Sequence, residues 1–426
     1  MEYVDLLNCM RCGMCLPHCP TYKETFLETA SPRGRVALVR KVQDGELEVN
    51  EQLLEYLTLC LDCQACLSAC PCGVNAGELV AEFKCEEKGK GGLSFMEELV
   101  LRKLVPHPER LERAMIPLRL YQKTGLQKLV RSLGLLKMFP PALGRMEGLL
   151  PRLPAKPLRK TLLEVTPAKG EEKGTVGFFL GCVMSLIFSE ASHATVELLS
   201  SLGYRVITPK AQKCCGAPNM LGSDLKGLQE LATFNVELFS GYDLEFIVTD
   251  CGGCGAELKK YGHHLPENGA AGSFSNKVRD ISEVLALHAD DLKGKLKPLS
   301  RRVTWHDSCH IAHAQGIRWQ PRTLLNLIPG LDVRELNEAD ACCGSGGTYN
   351  IAQPEMSDLV LQRKVNNILA TGAEYLVTAN PGCLLQLKKA LSETTPRVKV
   401  LHLTELLSES LAAGLRPVSL RLKTEG

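Results

Sequence analysis

Aromatic residues are scarce, at 5% of 426 residues with two tryptophans. They do not interleave with basic residues, so no single-stranded nucleic-acid surface is implied. Charge of one sign is also missing: the net charge is +2, which gives no reason to expect a polyanionic partner. No run approaches eighteen uninterrupted apolar residues, so no transmembrane helix is expected. The opening MEYVDLLNCM lacks the basic-then-apolar order of a secretory signal, and the expected location is the cytoplasm. There is no Ser–His–Asp order, no P-loop and no dinucleotide fingerprint. The glycine-rich GSGGTYN at 344 follows a Cys-Cys turn rather than opening a nucleotide-binding βαβ unit.

What remains is ordinary for a globular chain of two to four domains, with 45% hydrophobic and 23% charged residues. Against that background nineteen cysteines stand out. In a reducing compartment disulfides are rare, and clustered cysteines point to metal or catalysis.

Eight of them form two copies of one pattern. Cys9, Cys12, Cys15 and Cys19 read C-x2-C-x2-C-x3-C-P, and Cys60, Cys63, Cys66 and Cys70 repeat it 51 residues on. A cubane has four irons, each needing one thiolate. Three cysteines at this spacing wrap three corners from one loop, and the fourth, before proline, reaches the other cluster. The expected ligand sets for two [4Fe–4S] clusters are therefore Cys9, Cys12, Cys15 and Cys70, and Cys60, Cys63, Cys66 and Cys19. Zinc is the competing occupant of C-x2-C pairs, but two complete copies ending in proline favour iron–sulfur. The intervening sequence reads as helix, with Ser31 as N-cap and Pro32 in the first turn, followed by EQLLEYLTLC and GELVAEFKCEEK. Arg33 and Arg35 either tune a cluster or form a solvated helix start. Cys72 and Cys85 lie outside the pattern and read as bystander thiols.

The next section has no cysteine. From Leu99 to Lys160 it carries fourteen Lys or Arg against three Asp or Glu. Leucines recur at helical spacing, broken by Pro106, Pro108, Pro117, Pro140 and Pro141. This reads as short amphipathic helices joining two domains, or as a surface for an acidic partner or membrane headgroups. Pro151 to Glu172 reads as linker.

The C-terminal section is an internal repeat. GFFLGCVMS parallels VTWHDSCHIAH, KCCGAPN parallels ACCGSGG, and FIVTDCGGC parallels YLVTANPGC. Cys182 and Cys309 are 127 positions apart, Cys215 and Cys343 128. Short β-rich runs alternate with helical stretches, which predicts α/β units with small parallel sheets and the cysteines at the C-terminal strand edge. The first unit offers Cys182, Cys214, Cys215, Cys251 and Cys254. The second offers Cys309, Cys342, Cys343 and Cys383, with Asn380 where the first has Cys251. Five thiolates exceed one tetrahedral zinc and suit a larger iron–sulfur assembly. The occupant of each unit stays open between a further cluster, zinc and no metal. His306 and His310 flank Cys309 and read as polar strand-end residues or as ligands. His313 and His402 carry no signal.

The expected architecture is α plus α/β. An all-helical two-cluster ferredoxin domain (1–92) is followed by a basic helical connector (93–172). Two Cys-Cys-Gly (CCG) units then occupy 173–298 and 299–426.

CxxCGxCxxxCPTY, SPRGR, CLDCQACLSACPCGV, HDSCHIAHAQ, CCGSGGTYN and TANPGC together resemble the iron–sulfur subunits of glycolate oxidase. Related families are the lactate-utilisation proteins, the C subunit of anaerobic glycerol-3-phosphate dehydrogenase and heterodisulfide reductase subunits. The resemblance implies a complex in which a separate FAD subunit oxidises the 2-hydroxy acid. This chain would then pass electrons to a membrane quinone or another carrier, with no catalytic residue of its own. The complete five-cysteine first unit is also like the heterodisulfide reductase pattern, in which such cysteines hold a non-cubane, disulfide-cleaving cluster.

Overall fold

The computed structural model describes residues 3–412. The expected end of the second unit at 426 lies outside the described residues.

From Tyr3 to Gly91 the described elements are helices. Ser31 caps the helix Pro32–Gln43 by accepting the Gly34 N–H at 3.0 Å. Asn50 and Asn75 cap Glu51–Thr58 and Ala76–Gly91 in the same way. A side-chain oxygen at these positions satisfies a backbone donor that has no partner within the helix. Leu6, Val36, Val39, Leu57, Val80 and Phe83 form the common core. The cysteine patterns lie in the loops between the helices. Prolines break the basic connector into short helices, among them Pro108–Ala114, Ile116–Lys123 and Pro141–Leu149.

The repeat folds as two α/β units. Strands β1 (Val165–Thr166), β2 (Gly174–Phe178), β3 (Tyr204–Ile207), β4 (Phe246–Thr249) and β5 (Val278–Asp280) form one sheet in the order β1-β3-β2-β4-β5. Strands β6 (Arg301–Trp305), β7 (Leu331–Arg334), β8 (Tyr375–Thr378) and β9 (Lys399–His402) form the other, in the order β7-β6-β8-β9. Apart from the antiparallel edge strand β1, every pairing is parallel. Each unit thus places its second strand, first strand, third strand and fourth strand side by side. Val176 opposes Val206 and Phe246, as Val303 opposes Val333 and Tyr375. The inner strands are buried over successive residues because helices cover both faces.

The stretch read as linker does more than connect. It supplies β1, and Leu158 and Leu162 pack into the core of the repeat. A two-residue strand has no periodicity for a sequence to display. The units share that core: Phe178 and Val248 from one meet Trp305, Ile311 and Val377 from the other. No helix among the described residues is long and apolar enough to cross a membrane.

Candidate metal centres

The two N-terminal loops have matching backbones. Arg11 and Gly13 take left-handed conformations in the first, and Asp62 and Gln64 take them at the same positions in the second. Cys19 and Cys70 leave their loops with nearly identical dihedrals, φ −83°, ψ 117° and φ −88°, ψ 117°. Left-handed residues cost energy outside glycine. In the second loop the turned chain brings Cys60, Cys63 and Cys66 to one cavity.

The second set fits a cluster. Cys60, Cys63 and Cys66 line one small cavity together with Cys19 from the other loop. Arg35 also lines it and is 2% exposed, so the solvated helix start is excluded for this residue. Its Nε donates to the Tyr56 carbonyl at 3.2 Å and its Nη2 to Thr21 Oγ1 at 3.0 Å, with Nη1 4.0 Å from Cys19 Sγ. None of these partners is a carboxylate. A buried cation needs an opposing charge, which four thiolates around an iron–sulfur core would supply. Burial pushes the Cys66 thiol up to about 12 and raises that of Cys60. Metal binding must therefore displace protons that these thiols otherwise hold.

The first set is shallower. Cys9, Cys15 and Cys70 are half-buried against the helical core, and Cys12 is exposed. Arg33 pairs with Glu28 at 2.7 Å and donates to the Arg11 carbonyl at 3.1 Å. A side chain at Gly13 would sit 2.7 Å from the Arg33 guanidinium. Cys72 is exposed, and Cys85 is buried with its sulfur 3.9 Å from Met220 Sδ.

In the first CCG unit the five cysteines follow the strands as expected. Cys182 follows β2, Cys214 and Cys215 follow β3, and Cys251 and Cys254 follow β4. Their thiols form a chain of contacts from Cys182 through Cys214, Cys215 and Cys254 to Cys251. Hydrogen bonds from Cys214 and Cys254 pull Cys215 down to about 6. The Cys-Cys turn is fixed from behind: Asn235 donates to the Cys214 carbonyl at 3.0 Å, and Tyr261 donates to the Cys215 carbonyl at 2.9 Å. Cys182 and Cys214 also line a small cleft, walled by Pro108, Leu111 and Glu112 of the connector and by Arg159 and Lys213.

The second unit brings its four cysteines together as well. Cys342 contacts Cys309 and Cys343, and Cys343 and Cys383 lie 3.3 Å apart. Asn380, in the position of Cys251, has another use. Its Oδ1 accepts the Gly253 N–H at 3.0 Å, and its Nδ2 lies 3.7 Å from Cys383 Sγ. It ties the two units together. His306 is fully buried, and a ring nitrogen lies within 4.8 Å of the Cys343 and Cys383 sulfurs. That places it beside two of the thiols. His310 is half-buried, outside that group. His402 is fully buried, donating from Nε2 to the Asp250 carbonyl at 2.9 Å, and burial pulls it down to about 4.

The cysteine-rich loop Cys60–Cys66 docks directly on this second unit. Leu61, Cys63, Ala65, Cys342, Tyr349, Met356 and Val360 form one apolar cluster with Cys309 against it. Burial raises the Cys63 thiol, and the neighbouring Cys342 sulfur raises it further. Tyr349 donates to the Leu59 carbonyl at 3.0 Å, and Ser68 Oγ lies 2.8 Å from His313 Nδ1. The glycine-rich GSGGTYN is part of this contact. A side chain at Gly346 would come within 3.2 Å of Leu61.

Helical loops carrying two sets of soft sulfur donors, packed on paired cysteine-rich α/β units, define an iron–sulfur protein. Three family models agree. Residues 5–74 match a 4Fe-4S dicluster domain, residues 92–150 the linker region of the glycolate oxidase iron-sulfur subunit, and residues 176–259 and 303–388 a cysteine-rich domain. The chain is 39% identical over 424 residues to a probable glycolate oxidase iron-sulfur subunit of Bacillus subtilis, covering 96% of this chain and 95% of that one. It is 28% identical to the glycolate oxidase iron-sulfur subunit of Escherichia coli, covering 95% and 94%. A subunit of the fumarate reductase (CoM/CoB) of Methanothermobacter marburgensis is 29% identical, over 95% of this chain and 73% of that one. A hypothetical protein from Helicobacter pylori shares the fold, with a TM-score of 0.51 at 11% identity over 89% of this chain and 68% of that one. The chain belongs to the family of glycolate oxidase iron–sulfur subunits.

Proposed function

We propose that this chain is the electron-transfer subunit of a flavin-dependent 2-hydroxy-acid dehydrogenase complex, acting on glycolate or lactate. On this reading Tyr3 to Gly91 form an all-helical ferredoxin domain. Cys9, Cys12, Cys15 and Cys70 hold one [4Fe–4S] cluster, and Cys60, Cys63, Cys66 and Cys19 hold the other. Bound clusters supply one-electron redox chemistry to match a two-electron flavin donor. The FAD and the oxidation of substrate belong to a partner flavoprotein, and the acceptor is a quinone or another carrier.

The observation that carries this reading is the contact of Cys63 with Cys342 inside one apolar cluster. Leu61 and Tyr349 exclude water there. The exposed Cys12 side is left for a redox partner. The test is anaerobic purification with native partners, iron and zinc counting, and electron paramagnetic resonance after adding glycolate or lactate. Failure to recover a flavoprotein partner would count against it.

The cytoplasmic location proposed includes peripheral attachment to the inner face of the membrane. The connector supports this with Leu120, Leu129, Leu133, Met138 and Phe139 exposed among basic residues. Co-sedimentation with anionic vesicles, and none with zwitterionic ones, is the expected result.

A second reading is favoured by the cleft at Cys182 and Cys214: a disulfide-reducing site in the first unit, resembling heterodisulfide reductase. Cys251→Ser leaving turnover and every spectroscopic signal unchanged would remove it.

A further inference from the structure

We propose that His306 is a metal ligand, the fifth donor of an iron–sulfur cluster in the second CCG unit, with Cys309, Cys342, Cys343 and Cys383. The proposal rests on the reading that this unit holds iron.

The repeat provides the first argument. His306 occupies the place of Phe179: each directly follows the first strand of its unit, three residues before a cysteine. The His306 N–H donates to the Val377 carbonyl at 2.9 Å, as the Phe179 N–H donates to the Val248 carbonyl at 2.8 Å. Asn380 occupies the place of Cys251 two residues after the third strand, and both residues are helix N-caps. Two positions therefore change together. The first unit has Phe179 and Cys251, giving five sulfurs. The second has His306 and Asn380, giving four sulfurs and one imidazole. The number of donors is conserved while their chemistry changes.

The second argument is hydrogen bonding. His306 Nδ1 lies 3.2 Å from the Ala339 carbonyl. A carbonyl only accepts, so Nδ1 carries the proton and Nε2 presents a bare lone pair. Nε2 is fully buried and meets no partner at ordinary hydrogen-bond distance, and the side chain that interacts with the ring is the Cys383 thiol. Leaving a buried polar atom unpaired is unfavourable. A ring whose N–H is anchored on a carbonyl while the other nitrogen is free is the arrangement that orients a ligating histidine. His402 is the internal control. It is equally buried, yet Nε2 binds the Asp250 carbonyl at 2.9 Å and Nδ1 lies 2.8 Å from Thr404 Oγ1. The core histidine has both nitrogens satisfied, and His306 does not.

The donor set also selects the occupant. One tetrahedral zinc takes four ligands and would leave a donor over. Five donors suit a multi-iron cluster like that expected in the first unit. A neutral imidazole in place of a thiolate removes one negative charge, which raises the reduction potential. The second unit is then easier to reduce than the first.

The test uses the full chain purified anaerobically from cells fed natural or 15N-labelled histidine. Pulsed electron paramagnetic resonance of the reduced protein should show a nitrogen coupling that changes with the label and vanishes in His306→Gln. Iron per chain in His306→Gln should fall to the level of a Cys343→Ser/Cys383→Ser variant. His306→Cys should retain iron, lose the coupling and lower the potential of that centre. If the double serine variant keeps the wild-type iron content, or the site holds zinc, the second unit has no cluster and both readings fall. If iron is lost from the double serine variant but His306→Gln keeps its iron, or the coupling survives in His306→Gln, only the role of His306 is overturned.

Discussion

The two CCG units share strand order, register and the placement of their cysteines, yet they face different surroundings. The first opens at Cys182 and Cys214 onto a cleft beneath the basic connector. The second is closed by the Cys60–Cys66 loop, with Cys63 beside Cys342. The same topology thus yields one site with external access and one joined to the N-terminal domain. Beyond the exchange of Phe179 and Cys251 for His306 and Asn380, what separates them is the element packed over the thiols.

Removing Cys63 should have the largest effect, because it is where the N-terminal domain meets the second unit. Cys63→Ser is expected to lower substrate-to-acceptor turnover by at least about 100-fold, while the partner flavin is still reduced by substrate in single-turnover measurements. Cys251→Ser in the first unit should leave the cubane signals in place.

Acid should remove the part of the seam's stability that rests on His402. His402 is held near 4 against an ordinary value of 6.5, so the unfolded chain binds its proton first. Its contribution is fully present above pH 6.5 and is lost as pH falls toward 4, by about 3 kcal/mol. Asp250, raised to about 7 by burial, opposes this, since it takes up a proton on folding. The His402→Gln difference from wild type isolates the histidine. Denaturant midpoints of the two proteins should diverge above pH 6.5 and converge toward pH 4.

The two Cys-Cys-Gly turns should also differ in tolerance. Gly216 and Gly344 both have left-handed backbones, φ 89° and 83°. A methyl at Gly216 meets the Leu228 side chain, which can shift, whereas at Gly344 it comes within 2.5 Å of the Ser357 carbonyl oxygen. Gly344→Ala should cost about 2–3 kcal/mol and Gly216→Ala about 1–2 kcal/mol, read from thermal unfolding. Smaller again, Asn380→Ala should cost about 1 kcal/mol by leaving the Gly253 N–H unpaired.

Much of this comparison is legible in the sequence. The repeat announces two α/β units, and the alternation of strand and helix puts Cys182, Cys251, Cys309 and Cys383 at strand ends. Ser31 and Pro32 mark a helix start because capping is local chemistry. The docking of Leu61 on Gly346 joins residues far apart in the chain, and no local pattern encodes such a contact. His306 is ambiguous in the sequence for the same reason: its neighbour Cys383 lies in another strand–helix unit, and a polar residue after a strand looks the same whether or not its lone pair is used. Arg35 is ambiguous because a helix start is usually solvated, and only the fold shows that this one faces the cysteine cavity.

The N-terminal thiol sets are proposed to serve the redox traffic of a larger complex. Anaerobic addition of glycolate or lactate to the complex purified with its native partners, followed by freeze-quench electron paramagnetic resonance, tests it most directly. The [4Fe–4S] signals should rise within one turnover and lose the second cluster's contribution in Cys63→Ser. Full-rate oxidation of the hydroxy acid with those signals silent would contradict it.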